Sequence, residues 1–566
     1  MAVVILVPAL ASGAETTPAA SRPATHSAPT AEPDPVLDQL ADAARRRAML
    51  EYANHDVPLP PGLAALDYDG HRDIRCLPED FLWHGTDAPY RVQFRHRGWL
   101  FKEEVLVSTV KPGGGIEPLP FAPERFTYGP IATENLDPAT LPEGLGYAGI
   151  ALHKVGFEKN EAGEDVETFN EFLSIQGASY FRAIGFGQHW GSSARGIAIN
   201  TALPQSEEFP RWLELWIKQP APDDTTLTLY GLLDGPSVSG AYKFVITPDQ
   251  TTSMEVEARL HFRAPVDKLG LAPITSMFLF GEDTPGAFDD YRPEVHDADG
   301  LLMQHQSGEL DWRPLRNPRH LAVSRFQMTG PAGFGLIQRD RNFAHYEDLE
   351  TEMQIRPSIW VKPHAGFDEG WVELLEIASN DEGIDNIGAY WVPADESWNR
   401  LGGTHTLRYR IDFTQDPRPI DRDRIAWVAT RAVIDTEAPE PDEPGSVVRT
   451  GAIASEGRPV GRFILDTEPD SALPSGTIVR SDVTVRHGKL VGEPIIQYNK
   501  FTHSYRLFFD VKADGEQPVE LRATLRGATA LDRKKELAPE GTYDGVVDPD
   551  TGPPLSENWL YRWDLP

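Results

Sequence analysis

From Ser253 to Phe262 the chain alternates without a break. Met254, Val256, Ala258, Leu260 and Phe262 are apolar, and Ser253, Glu255, Glu257, Arg259 and His261 between them are polar. A repeat of two fits the pleat of a strand and not the turn of a helix, so this segment belongs to a sheet with one wet face. Leu227-Thr228-Leu229-Tyr230 and Tyr242-Lys243-Phe244-Val245-Ile246 precede it, set off by Gly-Pro and Pro-Asp turns. The alternation returns at Leu407, Tyr409, Ile411 and Phe413, and again at Val519, Leu521, Ala523 and Leu525. With 48 glycines and 49 prolines in 566 residues, short strands and turns are favoured over long helices. The expectation is an all-β protein: a large antiparallel β-sandwich over 34–415, then a smaller immunoglobulin-like sandwich over 451–566 that lacks the usual Cys–Trp–Cys core.

Between them, 416–450 is rich in proline and acid (Pro417, Pro419, Asp435, Glu437, Pro439, Glu440, Pro441, Asp442, Glu443, Pro444) and reads as a solvated linker. The functional alternative is a lid loop at 435–443, contributed by a second subunit if the protein is a homodimer. One helix opens the folded part: Asp34 is a good N-cap, Pro35 suits the first turn, and Val36, Leu40, Ala43 and Arg47 follow at helical spacing. Arg45-Arg46-Arg47 falls inside that helix, so a solvated face is preferred to an export signal.

Residues 1–14 resemble the apolar core and small-residue cleavage site of a secretory signal, and 15–33 read as a disordered spacer. No basic residue precedes Arg22, so the export route stays open. Exported and most simply periplasmic is the expectation. A formal net charge of −33 repels nucleic acid and anionic membrane but suits a neutral polymer. The lone Cys76 permits no intrachain disulfide and reads as a small core residue.

Several motifs fail on spacing. Gly185-Phe186-Gly187-Gln188-His189-Trp190-Gly191 is no dinucleotide fingerprint, and Gly191-Ser192-Ser193-Ala194-Arg195-Gly196 is no nucleophile elbow. Asp297-Ala298-Asp299-Gly300 has its glycine too early for a calcium loop. There is no zinc motif, and no cofactor is called for.

Two acid-rich stretches carry chemistry. In the first, Asp297 and Asp299 flank Ala298, beside His296 and before Gly300. In the second, Asn380, Asp381, Glu382, Asp385 and Asn386 precede Ala389-Tyr390-Trp391. Acids beside aromatic rings are what cleavage of a glycosidic bond needs: one protonates the leaving oxygen, one activates water, and rings stack on sugars. Arg356 and Trp360 make a plausible sugar-binding wall. The charged run from Arg339 to Glu350 reads as a salt-bridged surface loop. Nothing local shows that the stretches meet.

The chain resembles the periplasmic glucan biosynthesis proteins, the MdoG/OpgG–OpgD family. The resemblance rests on Ala178-Ser179-Tyr180-Phe181-Arg182-Ala183-Ile184-Gly185, on Ser193-Ala194-Arg195-Gly196-Ile197-Ala198-Ile199, and on Asp290-Tyr291-Arg292-Pro293 with His296-Asp297 and Asp299-Gly300-Leu301. Trp312-Arg313-Pro314-Leu315, the run from Gln338 to Glu350 including Tyr346, Arg356-Pro357-Ser358, Asp385-Asn386-Ile387 and Leu555-Ser556-Glu557-Asn558-Trp559-Leu560-Tyr561 add to it. It implies a galactose-mutarotase-like sandwich followed by an immunoglobulin-like one. It implies an anomer-inverting β-1,2-glucan endo-glucanase, most like the OpgD type, with Asp385 as general acid and Asp297 as general base acting through a relay. Substrate would be held by Arg356, Trp360, Tyr346, Tyr291, Arg292, His296, Asp299 and Trp391. A transglycosylase on the same glucan, and a non-catalytic glucan binder or assembly partner of the inner-membrane glucan synthase, are the rivals. Gly383, Gly388 and Asn200 depart from what the family leads one to expect.

Asp385 would have to be protonated at rest, helped by an apolar wall from Tyr390 or Trp391, and Asp297 ionised, helped by Arg292 or His296.

Overall fold

The computed structural model describes residues 33–564, apart from 417–425, 436–459, 529–553 and short breaks at 54–56, 135, 143, 160–162, 164, 283, 285–287, 396, 398–400, 472 and 474–477. The signal-like segment, the spacer up to 32 and most of the 435–443 lid passage lie outside the described residues. Among the described residues no helix is long and apolar enough to cross a membrane.

The protein is all-β, and two large sheets make its body. One has 14 strands and runs from Ile116–Leu119 at one edge to Ile478–Arg486 at the other; the second has 10. The alternating segments lie where their pattern puts them. Thr252–Phe262 sits between Val238–Thr247 and Thr404–Thr414, antiparallel to both, with Met254, Val256, Ala258 and Leu260 fully or nearly buried. Their inward faces join a core that also takes in Leu407, Tyr409, Ile411, Phe413 and Cys76. Burial pushes the Cys76 thiol up to about 11, which leaves it an inert core residue.

The helix Pro35–Ala48 lies on the 14-stranded sheet. Asp34 caps it by accepting from the backbone N–H of Val36 and Leu37, and Lys243 ties the same carboxylate to the sheet at 2.6 Å. Its buried stripe is Leu37, Leu40, Ala41 and Ala44, packed on Trp216, Tyr230, Leu232 and Ala241. Arg45 and Arg46 point to solvent.

A second core gathers Phe463, Leu507, Phe509, Val519, Leu521, Trp559 and Trp563 with Leu302, Trp312 and Trp360. Trp427–Asp435, inside the stretch expected as linker, is a strand that pairs with Val460–Thr467. Trp427 explains why the chain is fixed there: its backbone N–H donates to Glu557 Oε1 at 2.9 Å and its indole N–H to the Glu557 carbonyl at 3.1 Å. The final strand, Asn558–Trp563, inserts between Leu310–Pro314 and Val519–Ala528 and makes the large sheet continuous.

Candidate active site

The site is built on a row of side chains across the 10-stranded sheet. Phe181 faces Ala194 between neighbouring strands, so one step along that register sets Arg182 beside Ser193. Ser193 faces Thr275, and Thr275 faces Gly388. Directly opposed residues of antiparallel strands share a face, so Arg182, Ser193 and Thr275 point the same way. Gly388 adds no side chain to the row, which continues on the next strand at Leu375.

Asp385 reaches over this row from the loop that precedes Ile387–Pro393. Its Oδ2 accepts from Arg182 Nη2 at 3.2 Å, Ser193 Oγ at 3.2 Å and Thr275 Oγ1 at 3.0 Å. Ser193 and Thr275 also bond to each other at 2.5 Å. Among the described residues every hydrogen bond to the Asp385 side chain meets Oδ2. The carboxyl is about one-quarter exposed, at 24%.

Asp297 is almost wholly buried, 3% exposed. It accepts a short charge-assisted bond from Arg356 Nη1, and Arg356 Nε donates to the Thr351 carbonyl at 3.1 Å. Burial raises the Asp297 carboxyl above its ordinary range; the Arg356 charge opposes this, while the Asp385 charge adds to it. The two acids thus feel each other's field. Arg356 lies flat across Gly191, where a Cβ would stand 2.8 Å from its Cδ. That close approach is what Gly191, at the end of the glycine-rich loop, allows.

The two stretches that sequence leaves apart meet at one short segment. The Asp297 N–H donates to the Met277 carbonyl at 2.9 Å. Next to Asp385, the Asn386 side chain accepts from the Phe278 N–H at 2.8 Å and donates to the Phe278 carbonyl at 2.9 Å. Residues 277–278 therefore carry both acid-bearing loops.

The other expected residues divide. His296 is fully buried between acceptors, with Nε2 2.7 Å from Glu294 Oε2 and Nδ1 3.0 Å from Gln338 Oε1. The Gln338 amide nitrogen faces the Tyr346 hydroxyl at 2.7 Å, so its oxygen faces the histidine and both ring nitrogens donate. Burial alone would lower the His296 pKa; the Asp299 charge and the bond to Glu294 outweigh it and lift it to about 9. Asp299 accepts from the backbone N–H groups of Arg339 and Asp340. Gly300 follows because a Cβ there would stand 2.3 Å from the Trp312 indole.

Against expectation, His296 and Tyr346 are interior, 1% and 0% exposed, and present no surface to a sugar; Tyr346 holds Gln338 instead, while Tyr291, 73% exposed, is an available ring. Arg292 binds Asp290, Asp348 and Glu382, each at 2.7–2.8 Å, so it ties the acid-bearing loop to its neighbours.

Four further expectations are corrected. Trp360 and Trp391 are 0% exposed and lie in the cores, so neither ring can stack on a sugar. The wall expected beside Asp385 is absent for the same reason: Tyr390 is buried and donates to Glu373 Oε1 at 2.6 Å. The cation beside Asp297 is Arg356, not Arg292 or His296. The run from Arg339 to Glu350 is more than a surface loop, since Arg339 and Tyr346 are interior. Sequence reasoning also missed Ser193 and Thr275 as partners of Asp385; only register brings them there.

Of the departures, Asn200 takes a left-handed turn, φ 57°, and its side chain accepts from the Asp267 and Lys268 N–H groups at 3.0 Å. Gly383 lies in the exposed turn before Asp385 and donates its N–H to Asp381 Oδ1 at 2.8 Å.

Among the described residues, atoms able to ligate a metal gather in two places. Glu294, His296 and Asp299 form one group, and Glu282, Glu294, Asp340 and His345 the other, each within 4.8 Å. In the first the imidazolium already supplies the positive charge. Its titration sets a stability test. A pKa raised from 6.5 to about 9 stabilises the fold fully below about pH 6.5 and progressively less as pH rises through about 9. Thermal melts across that window should show falling stability, and His296→Gln should flatten the fall. A wild-type profile level across it would mean that His296 is neutral.

Among solved structures, the Slr1438 protein from Synechocystis sp. PCC 6803 is matched at 10% identity over 48% of this chain and 93% of its own, with a TM-score of 0.16, too low to carry an argument. The family described as periplasmic glucan biosynthesis protein, MdoG, matches residues 36–534. The chain therefore belongs to the MdoG family of periplasmic glucan biosynthesis proteins, and is a periplasmic protein of glucan biosynthesis.

Proposed function

We propose that this site makes the protein an anomer-inverting endo-glucanase acting on β-1,2-glucan, with Asp385 as general acid and Asp297 as general base. The observation that carries the reading is the unequal setting of the two acids. Asp385 is part-exposed, and its three bonds fall on Oδ2, so Oδ1 is the oxygen able to carry a proton to a leaving group. Asp297 is buried against Arg356 and has no open face on which a glycosyl unit could sit. A carboxylate so placed acts on water through a relay and not by contact. Burial also strengthens it as a base, because removing its charge becomes favourable.

Substrate class and linkage come from the family and the resemblance, not from the geometry. The apolar surface for sugar rings would be Tyr291, with the exposed Leu349 and Ile384 on the loops that Arg292 gathers.

The test is incubation with linear β-1,2-glucan, following reducing ends, product size and anomeric configuration. New reducing ends with the inverted anomer are expected. Chain redistribution without new reducing ends would make it a transglycosylase, and binding without any change in the chains would leave it a glucan-binding protein.

A further inference from the structure

A cavity of about 960 Å³ lies where the strand Ala322–Thr329 of the 10-stranded sheet faces Ile478–Arg486, Val519–Ala528 and Asn558–Trp563. It is separate from the acid site: its Lys268 stands before the strand Leu269–Ser276, whereas Thr275, which binds Asp385, is near the far end. Its lining is the reverse of the molecule's charge. Lys268, Arg313, Arg325, Arg486, Arg522 and Arg562 line it, with Glu520 the one acid among the described lining residues. The whole chain has 86 acids against 53 lysines and arginines.

The cations have counter-charges, and these are placed tellingly. Lys268 and Arg325 share Glu373, and Arg313 pairs with Glu376; both glutamates are 0% exposed. Arg522 pairs with Glu309 and Arg562 with Asp564, and neither acid lines the cavity. The carboxylates behind the wall fix Lys268, Arg313, Arg325, Arg522 and Arg562, and the described lining residues hold six cations against one acid. Arg325 is half-exposed and rests on the Trp371 ring, 5.2 Å from its centroid, so its plane is ordered before any ligand arrives. Arg486 is 81% exposed, and its contact with Glu520 is loose at 3.7 Å. Guanidinium groups from different strands, all but Arg486 held by close carboxylates, suit the oxygens of a phosphate. Phe326, Leu560 and Tyr561 stand between them, and the volume far exceeds a bare ion. Apolar faces beside cations suit a sugar ring that carries an anionic group.

We propose that this cavity is a second ligand site that binds a phosphate-bearing saccharide. The ligand could be a free sugar phosphate or a phosphate ester on a glucan. The proposal draws its saccharide class from the family and is independent of the catalytic reading, because it is read as binding without turnover.

The test is calorimetric titration of the full chain with glucose 6-phosphate, with glucose and inorganic phosphate as controls, and with a phosphorylated β-1,2-gluco-oligosaccharide. Glucose 6-phosphate is expected to bind more tightly than either control, and less tightly as salt rises. Arg325→Gln with Arg486→Gln should weaken it by about tenfold or more. Glu373 keeps Lys268 and Tyr390 in that variant, and an unchanged melting temperature would verify its fold. Should it not fold, Arg486→Gln alone, at the most exposed position, gives the same reading with a smaller change. Tighter binding of the phosphorylated oligosaccharide assigns the source to substituted glucan, and equal binding to the free sugar phosphate. Absence of binding, affinity unaffected by the variants, or inorganic phosphate binding as well as glucose 6-phosphate would each overturn the proposal.

Discussion

Asp385→Asn is expected to lower turnover of β-1,2-glucan by about two to four orders of magnitude, the usual contribution of a positioned proton donor. The amide can still accept from Ser193 Oγ and Thr275 Oγ1, so the row beneath it stays filled. What it cannot do is release a proton to the glycosidic oxygen. The lost ion pair with Arg182 is partly exposed on both sides and so is worth at most about 1 kcal/mol of stability. Reducing-end assays and melting temperature, measured on the same preparation, separate the two effects. A variant that keeps wild-type turnover would remove Asp385 from the chemistry.

Arg339→Ala is expected to destabilise the fold by about 3–5 kcal/mol, the cost of leaving a buried charge without its partner. Arg339 donates to both oxygens of Glu557, at 2.6 and 2.8 Å, and to the Trp427 carbonyl at 2.8 Å. Its guanidinium lies 3.4 Å from the centroid of the Trp312 ring. Glu557 is 2% exposed and, among the described residues, would retain only the Trp427 N–H at 2.9 Å. Lysine should rescue little, since a single ammonium cannot reproduce the planar fork. Denaturant midpoints measure this directly, and a loss under about 1 kcal/mol would show that the site relaxes or admits water.

The strands around Met254, Tyr409 and Leu521 are legible because one side of each meets water and the other the core. Ile387–Pro393 lacks that contrast. Six of its seven residues are buried, so no alternation separates Trp391 in a core from Trp391 in a cleft. Trp360 misleads for the same reason. The two acids are singled out by the resemblance, which says nothing of the partners that Asp385 meets. Ser193 and Arg182 stand 192 and 203 residues from Asp385, and Thr275 stands 110 away. They meet only because cross-strand register aligns them, and register depends on tertiary pairing that spacing does not encode. The strand at Trp427–Asp435 was hidden similarly: its anchor, Glu557, lies 130 residues away.

The place of Asn558–Trp563 bears on how the molecule folds. Asn558 bonds to Asp311 across 247 residues, in a parallel pairing that no hairpin can form early. Until that strand arrives, Leu310–Pro314 and Val519–Ala528 each present an open row of amides and carbonyls to any other chain. Non-local pairing of this kind is intrinsically slow, so closure of the sheet is expected to come late. A chain cut before Asn558 would keep both edges open, and is expected to self-associate even with the acid site intact in sequence.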